Sequence, residues 1–470
     1  MTVLTEPVPA EGLIGEAPVS PAGPVGPEDV GRLPAPPTVP LPRAAQMLRL
    51  NQRQIEFMFK ARQKLGDVFR VLGSRPGGMV FTSHPDHVKS LLTAKPEQAP
   101  SLTGESPLRP IVGPNSVLTA LGERHMRQRK LLLPSFHGEA IAQYEQMIRG
   151  AAEREVSTWP VGRPIALAPR MQAITLDVIM AGIFGIHARP KRTTAEFWLR
   201  EVTRAALFAS TLPFAQIAEL MNMGRDEPVG LQRIGVEIVD RPIYAVIRSR
   251  RRAVDVDERR DILSLLIGAR TEDDVALTDE ELRDELLTLV LAGHETTANQ
   301  LAWTWERLMR SPAAYERLVE TVRGDGDATD VIDATIYESM RSRPVIPIIG
   351  RRVMVPWRLG EYVVPGDEPV GVSILLLHHR EDLYPDPFAF RPERWDGHKP
   401  GTYEWLPFGG GIRRCLGAAL AMAEQQIVLA EMARRLDIEA VDPEPEHAKH
   451  RNVTMIPSKG AKVIVRHKRG

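Results

Sequence analysis

The chain has 470 residues, 43% of them hydrophobic, and its 60 basic residues balance 60 acidic ones. A net charge of zero gives no global field to draw in nucleic acid, so a charged partner has to meet a local patch. A single cysteine, Cys415, excludes disulfides within the chain and any zinc site built from several thiolates.

Residues 1–43 hold 11 of the 40 prolines and no aromatic residue. With so little apolar surface to bury, this segment is expected to be disordered. It lacks the basic start and apolar core of a signal peptide, and the sequence has no run of ~20 apolar residues to span a membrane. A soluble, cytoplasmic protein is expected, with residues 44–470 as a single domain.

Met47, Leu48, Leu50, Ile55, Met58 and Phe59 recur at helical spacing, followed by short β-like runs at 68–72 and 79–82. From about residue 120 to 340 the pattern is helical, with Pro134, Pro160, Pro190, Pro213, Pro228 and Pro242 as punctuation. Strand-like runs return at 346–356, 361–364, 370–376 and 461–465. The fold class is therefore mainly α with a minor β part, and β contributions from both ends imply one interleaved fold.

One helix stands out. Thr278-Asp279-Glu280-Glu281 reads as a capping box, and no proline follows until Pro312. Its centre, 286–293, is apolar nearly all round, so the helix crosses the core. His294, Glu295, Thr296 and Thr297 then place polar groups where burial is costly. Such polarity beside the helix-weakening Gly293 marks either a functional site or a bland arrangement. In the bland one, the threonines bond back one turn and Glu295 pairs with an arginine.

Cys415 sits in Phe408-Gly409-Gly410-Gly411-Ile412-Arg413-Arg414-Cys415-Leu416-Gly417, a glycine-rich loop that runs into a predicted helix over 416–435. Turn N–H groups and a helix start stabilise a thiolate. The three glycines let the backbone approach something large and flat, and Phe408 screens the sulfur. A ligand, a nucleophile and an inert buried cysteine all remain open on these residues alone.

Phe408, Gly411, Arg413, Cys415 and Gly417 resemble the haem-binding signature of the cytochrome P-450 family, and further segments carry the likeness over nearly the whole chain after residue 43. The resemblance is to soluble bacterial members, actinobacterial ones in particular. It implies the family's fold, with haem b between the long central helix and the cysteine-loop helix and Cys415 as its axial thiolate. Ala292-Gly293-His294-Glu295-Thr296-Thr297 is similar to the family's oxygen-binding segment. There Ala292 and Gly293 open the groove, and Glu295 and Thr296 form an acid–alcohol pair. A hydroxyl backed by a carboxylate is a proton relay. Glu338 and Arg341, joined by Arg394, resemble the structural triad that locks the loop before the cysteine. Gly122 to Arg129 resembles the helix that binds haem propionates, with His125 and Arg129 one turn apart and Arg351 and Arg413 completing a cationic seat. Phe408, Gly409 and Gly417 would also border the cofactor. Arg124, Arg127, Lys130 and Arg414 remain as a basic patch for an acidic electron carrier. Trp395 stands where the family often has phenylalanine.

By the same resemblance the substrate pocket draws on 98–118, 197–223, 287–296, 344–350 and 452–457. The side chains involved include Phe208, Leu212, Phe214, Val290, Leu291, Val345, Ile346, Ile348, Met455 and Ile456. An apolar lining suits a lipophilic molecule of the lipid, steroid or terpenoid class. The expected activity is O2-dependent monooxygenation by a monomer, with NAD(P)H electrons delivered by a ferredoxin and its reductase. A haem-thiolate peroxygenase or isomerase would not need the Glu295–Thr296 pair. A haem gas sensor would need an output domain. A cysteine-nucleophile hydrolase would leave the central-helix segment and the Glu338–Arg341 pair unexplained.

Overall fold

The computed structural model describes residues 14–469 except 74, 137–138, 187–190, 211, 213–220, 223–224, 271–273 and 452, and gives backbone alone at 51, 139, 140 and 143. The described chain begins with the short strand β1 (Ala22–Pro24), then α1 (Arg43–Leu65), β2 (Val68–Val71), β3 (Met79–Thr82) and α2 (Pro85–Thr93). The helical body follows with α3 (Gly122–Leu132), α4 (Glu139–Ser157), β4 (Pro164–Ala166), α5 (Leu167–Phe184), α6 (Ala195–Ala209), α7 (Gly230–Arg251) and α8 (Ile262–Gly268). It continues with α9 (Asp279–Leu308), α10 (Pro312–Arg323) and α11 (Thr329–Ser342). The last third supplies β5 (Ile348–Val353), β6 (Trp357–Leu359), β7 (Tyr362–Val364), β8 (Glu368–Ser373) and α12 (Ala418–Arg435). Strands β9 (Leu436–Ala440), β10 (Ala448–Arg451), β11 (Thr454–Pro457) and β12 (Lys462–Lys468) end it.

The sheets interleave the two ends of the chain. One has the order β2-β3-β8-β5, with β3 and β8 parallel and the other pairs antiparallel. Another joins β4, β12 and β9, and β10 and β11 form a hairpin.

Helix α9 is the axis of the molecule. Its capping box closes in both directions, Glu281 N donating to Thr278 Oγ1 at 3.1 Å and Thr278 N to Glu281 Oε2 at 3.0 Å. Thirty residues give it a length of about 45 Å. Leu282, Leu286, Leu287 and Val290 pack into one hydrophobic cluster with α5, α7 and α8. Ala298, Leu301, Ala302, Trp305 and Leu308 pack into another with α4, α10, α11 and α12. The six residues from Ala292 to Thr297 lie at the seam between these cores and belong to neither. Polar groups are tolerated there because specific hydrogen-bond partners meet them.

Three expectations change. Residues 14–43 do not hang free: β1 pairs antiparallel with β6, Gly360 N donates to Pro21 O, Val39 N donates to Arg70 O and Arg70 N to Pro37 O. Extended proline-rich chain needs no hydrophobic periodicity when a sheet edge offers partners. Pro242, read as punctuation, lies inside α7. The carbonyl one turn earlier, which loses its donor, belongs to the exposed Ile238 and faces water. Finally, one described helix, α5, is long and apolar enough to cross a membrane, with mean hydropathy 1.3; 67% of it is buried inside the fold, much of it against α9.

Candidate functional site

At the seam, Ala292 is exposed although its neighbours Val290 and His294 are buried. Thr296, half-buried and one turn on, shares that face. Together they border a cleft in the middle of the core helix. Thr296 Oγ1 donates to the Ala292 carbonyl at 2.7 Å. Gly293 serves a different neighbour, since a Cβ there would lie 3.0 Å from Ile179 Cδ1 of α5. His294 faces α5 too: its Nε2 lies 3.1 Å from the Gln172 carbonyl, and Thr175 Oγ1 donates to the His294 carbonyl at 3.0 Å. Burial pushes its pKa down to about 4, so it is neutral.

Glu295 does not back the Thr296 hydroxyl in this arrangement. Its Oε1 accepts from Arg451 Nε at 2.8 Å, Thr454 Oγ1 at 2.8 Å and Asn299 Nδ2 at 3.4 Å. The acid and the alcohol thus occupy adjacent positions with separate partners, the arrangement described above as the bland alternative. Arg451 and Thr454 were invisible to motif reading because nothing in the sequence links them to a glutamate more than 150 residues earlier.

Across the site, Cys415 is exposed, yet burial raises its thiol above the usual range against the opposing pull of the Gly417 N–H, Arg129 and Arg414. The thiol lies within reach of the Arg129 and Arg414 charges that act on it. The Cys415 N–H donates to the Phe408 carbonyl at 2.9 Å, closing the loop. The glycines have a local cause. Gly409 and Gly411 adopt φ of 65° and 64°, and a Cβ at Gly411 would fall 2.1 Å from the Leu92 carbonyl oxygen of α2. Close packing against α2 therefore requires Gly411, a cause for that one glycine that lies within the fold.

Three arginines and a neutral histidine gather beside the cleft. His125 is buried on α3, and its pKa is pushed down to about 4 by burial and then by Arg413, Arg129 and Arg351. Burial, Arg351 and Arg129 take Arg413 down to about 10, and burial takes Arg351 to about 10. Arg351 reaches the Gly350 carbonyl at 3.2 Å, and Arg129 donates to the Arg414 carbonyl at 2.7 Å. Among the described residues no carboxylate contributes to this set. Arg352, by contrast, is balanced by Glu105 and Asp367. Gln128, which motif reading missed, lies on the same helix face, buried, with both amide atoms unpartnered among the described residues. A self-repelling cationic seat beside a desolvated thiol fits haem, whose propionates are a pair of carboxylates and whose iron takes a thiolate.

The Glu338 cluster is built oppositely. Glu338, Arg341 and Arg394 are each fully buried. Arg341 donates twice to Glu338, at 2.8 Å each, and Arg394 pairs with it at 3.1 Å. The Arg391 N–H at 2.9 Å and the Trp395 indole at 3.1 Å complete the carboxylate's partners. The tryptophan noted as a departure thus supplies a hydrogen bond that phenylalanine has no group to make. Arg341 also donates to the carbonyls of His378 and Pro387, pinning the stretch that leads to the cysteine loop.

The expected pocket residues divide. Met455 N donates to the Val345 carbonyl at 2.7 Å, which joins the 344–350 and 452–457 segments. Ile346 and Ile456 are half-buried there. Val290 instead belongs to the core packed against α5 and α7, Leu291 packs on that same core, and Ile348 packs with the cluster under α1. Phe208 is 68% exposed on α6, and Leu212 is half-buried. Phe214 lies outside the described residues. In the basic patch, Arg127 is paired with Glu281, while Arg124 and Arg414 are exposed.

Comparison with known proteins bears on this architecture. The sequence profile of the family Cytochrome P450 matches residues 34–465. A Mycobacterium tuberculosis protein named cytochrome P450 135B1 is 34% identical over 439 residues, covering 92% of this chain and 91% of its own length. Another from that organism, named cytochrome P450 137, is 36% identical over 436 residues, covering 90% and 85%. Among solved structures, the retinoic acid-bound cyanobacterial CYP120A1 aligns with a TM-score of 0.75 at 23% identity, over 93% of this chain and all of that one, a likeness of fold. With its single cysteine beside the cationic seat, the chain belongs to the cytochrome P450 family of haem-thiolate monooxygenases.

Proposed function

We propose that this monooxygenase oxidises a lipophilic small molecule of the lipid, steroid or terpenoid class, with electrons passed from NAD(P)H by a ferredoxin and its reductase. The observation that carries the site assignment is the unbalanced cationic seat beside Cys415. When bound, the haem supplies activation of O2, one oxygen atom going to the substrate and the other leaving as water.

The chain's own residues then have separable tasks. Cys415 holds the cofactor on one side, with Phe408, Gly409 and Gly417 shaping the loop around it. Arg129, Arg351, Arg413 and His125 hold its carboxylates. Ala292 keeps the opposite face open, and Thr296 keeps a hydroxyl proton at the rim of the cleft. Glu295 is the acid of the proton relay only once released from Arg451 and Thr454, which hold its carboxylate in the resting arrangement. The joined 344–350 and 452–457 segments, with Val345, Ile346, Met455 and Ile456, support an apolar pocket wall. Exposed Arg124 and Arg414 offer the cysteine side to an acidic carrier, and Arg127 contributes less because Glu281 neutralises it.

Replacing Cys415→Ser is expected to abolish the strongly red-shifted Soret band of the reduced carbon monoxide complex, and an unchanged band would end the ligand assignment. Thr296→Ala is expected to let NAD(P)H be consumed faster than product forms, with peroxide released. Full coupling in that variant would remove Thr296 from proton handling. A screen of lipophilic compounds for substrate-induced Soret shifts tests the substrate class.

A further inference from the structure

Residues 113–120 run between the central helix and the cysteine loop; Val117 packs with the α9 leucines, and hydrogen bonds with Asp284, Glu285 and Thr288 tie the segment to that helix. Asp284 Oδ2 accepts from the Asn115 backbone and side-chain amides, each at 3.1 Å. Glu285 Oε1 accepts from the Val117 N–H at 2.9 Å. Thr288 Oγ1 lies 2.6 Å from Ser116 Oγ. Gly113, at φ 87°, admits the Asp284 carboxylate to within 2.3 Å of where a Cβ would stand, so the sequence has kept that space clear. On its far side the segment turns carbonyls toward the cationic seat. Arg413 donates to Val117 O at 3.3 Å, to Leu118 O at 3.4 Å and to Ala120 O. Val117 therefore gives its N–H to Glu285 and its carbonyl to Arg413.

Glu285 itself is fully buried, and its Oε2 has no partner among the described residues. Mere support of a loop would be met by a neutral amide at lower cost. We propose that Asp284, Glu285 and Thr288 are positioning residues, which pin the 113–120 strap to the central helix and through its carbonyls aim the Arg413 guanidinium into the propionate seat. The proposal rests on Arg413 belonging to that seat.

The latch has a pH dependence of known sign. Burial pushes Glu285 up to about 8, with Asp284 and Glu281 of its own helix adding to the rise and the Val117 N–H opposing it. The cations nearby are committed elsewhere: Arg283 to Asp240 and Asp284, Arg127 from α3 to Glu281, and Arg413 to the strap carbonyls. The strap brings no ionisable side chain, and the α5 and α8 residues of that region form the apolar cluster. The folded chain thus keeps a proton that an unfolded chain releases above about 4.5. Stability falls as pH rises from about 4.5 to about 8 and levels off beyond, where an ionised Glu285 must find water and the strap loosens.

Holoenzyme variants test this by hydrogen exchange at Val117 and by the rate of haem transfer to a scavenger globin. In the wild type, exchange corrected for the intrinsic rate should rise about tenfold between about pH 7 and about pH 9.5, and haem loss should rise with it. Glu285→Gln, which keeps the acceptor and cannot ionise, should flatten both profiles. Glu285→Ala should show the fast behaviour already at neutral pH, and adding Arg413→Gln to it should have little further effect on haem loss. A pH rise that persists in Glu285→Gln, or effects of Glu285→Ala and Arg413→Gln that simply multiply, would overturn the latch. Arg413→Gln that leaves haem loss unchanged would instead overturn the seat on which it rests.

Discussion

The Glu338 cluster and the His125 seat both bury arginines within reach of the cysteine loop, yet their charge balance is opposite. In the first, one carboxylate receives Arg341, Arg394, the Arg391 amide and the Trp395 indole, so the folded chain satisfies itself. In the second, His125, Arg129, Arg351 and Arg413 lie together, and most of them depress one another. A cluster that holds its own carboxylate contributes to the fold; one whose charges only repel holds free energy that an anionic ligand can release. The pair also separates two uses of arginine that a motif scan treats alike.

The comparison breaks most readily at Glu338. Glu338→Gln leaves two buried guanidinium groups short of a counter-charge and is expected to cost about 3–5 kcal/mol of stability. Urea unfolding of the apoprotein would read this, and a loss below about 1 kcal/mol would remove the distinction. The seat should answer with the opposite sign. Arg351→Leu is expected to leave apoprotein stability equal or higher while speeding haem loss about tenfold, the loss of one charge-assisted hydrogen bond. Parallel losses of stability and haem would make the seat just another structural cluster. A gentler probe is Trp395→Phe, expected to cost about 1 kcal/mol because one of several donors to Glu338 disappears.

The smallest effect distinguishes two histidines. His125 sits at about 4 because burial and three arginines oppose its charge, and His378, beside Arg341, at about 3 because of burial and then that arginine. Each folded value is depressed, so the stability each contributes is present above the unfolded value near 6.5 and is lost as pH falls toward the folded one. Imidazole NMR titration should find His125 moving up when haem carboxylates arrive, by about one unit, and His378 fixed. Equal movement would mean that the two clusters are not separate.

Much of this could be seen in the chain itself where chemistry is local. The capping box at Thr278, the length of α9, the Glu338–Arg341 spacing and the loop around Cys415 each depend on residues a few positions apart, and each appears where expected. What escaped depends on distant partners. Helical spacing places Val290 on a face without telling whether that face meets a pocket or α5. The carboxylate of Glu295 was expected beside Thr296, but Arg451 and Thr454 hold it from a hairpin near the other end of the chain. Gly293 and Gly411 were read as openings for a ligand, and each also admits a neighbouring element, Ile179 of α5 and the Leu92 carbonyl of α2.

The proline-rich leader has a consequence of its own. By pairing with β6 through β1, and with Arg70 of the outer strand β2 through Pro37 and Val39, it covers the open hydrogen-bonding rows of two sheets. Proline has no N–H to offer, so the outermost rim becomes one on which another chain finds few donors. A version of the protein trimmed to residue 44 would bare those rows and invite intermolecular strand pairing, which makes the leader a guard against aggregation.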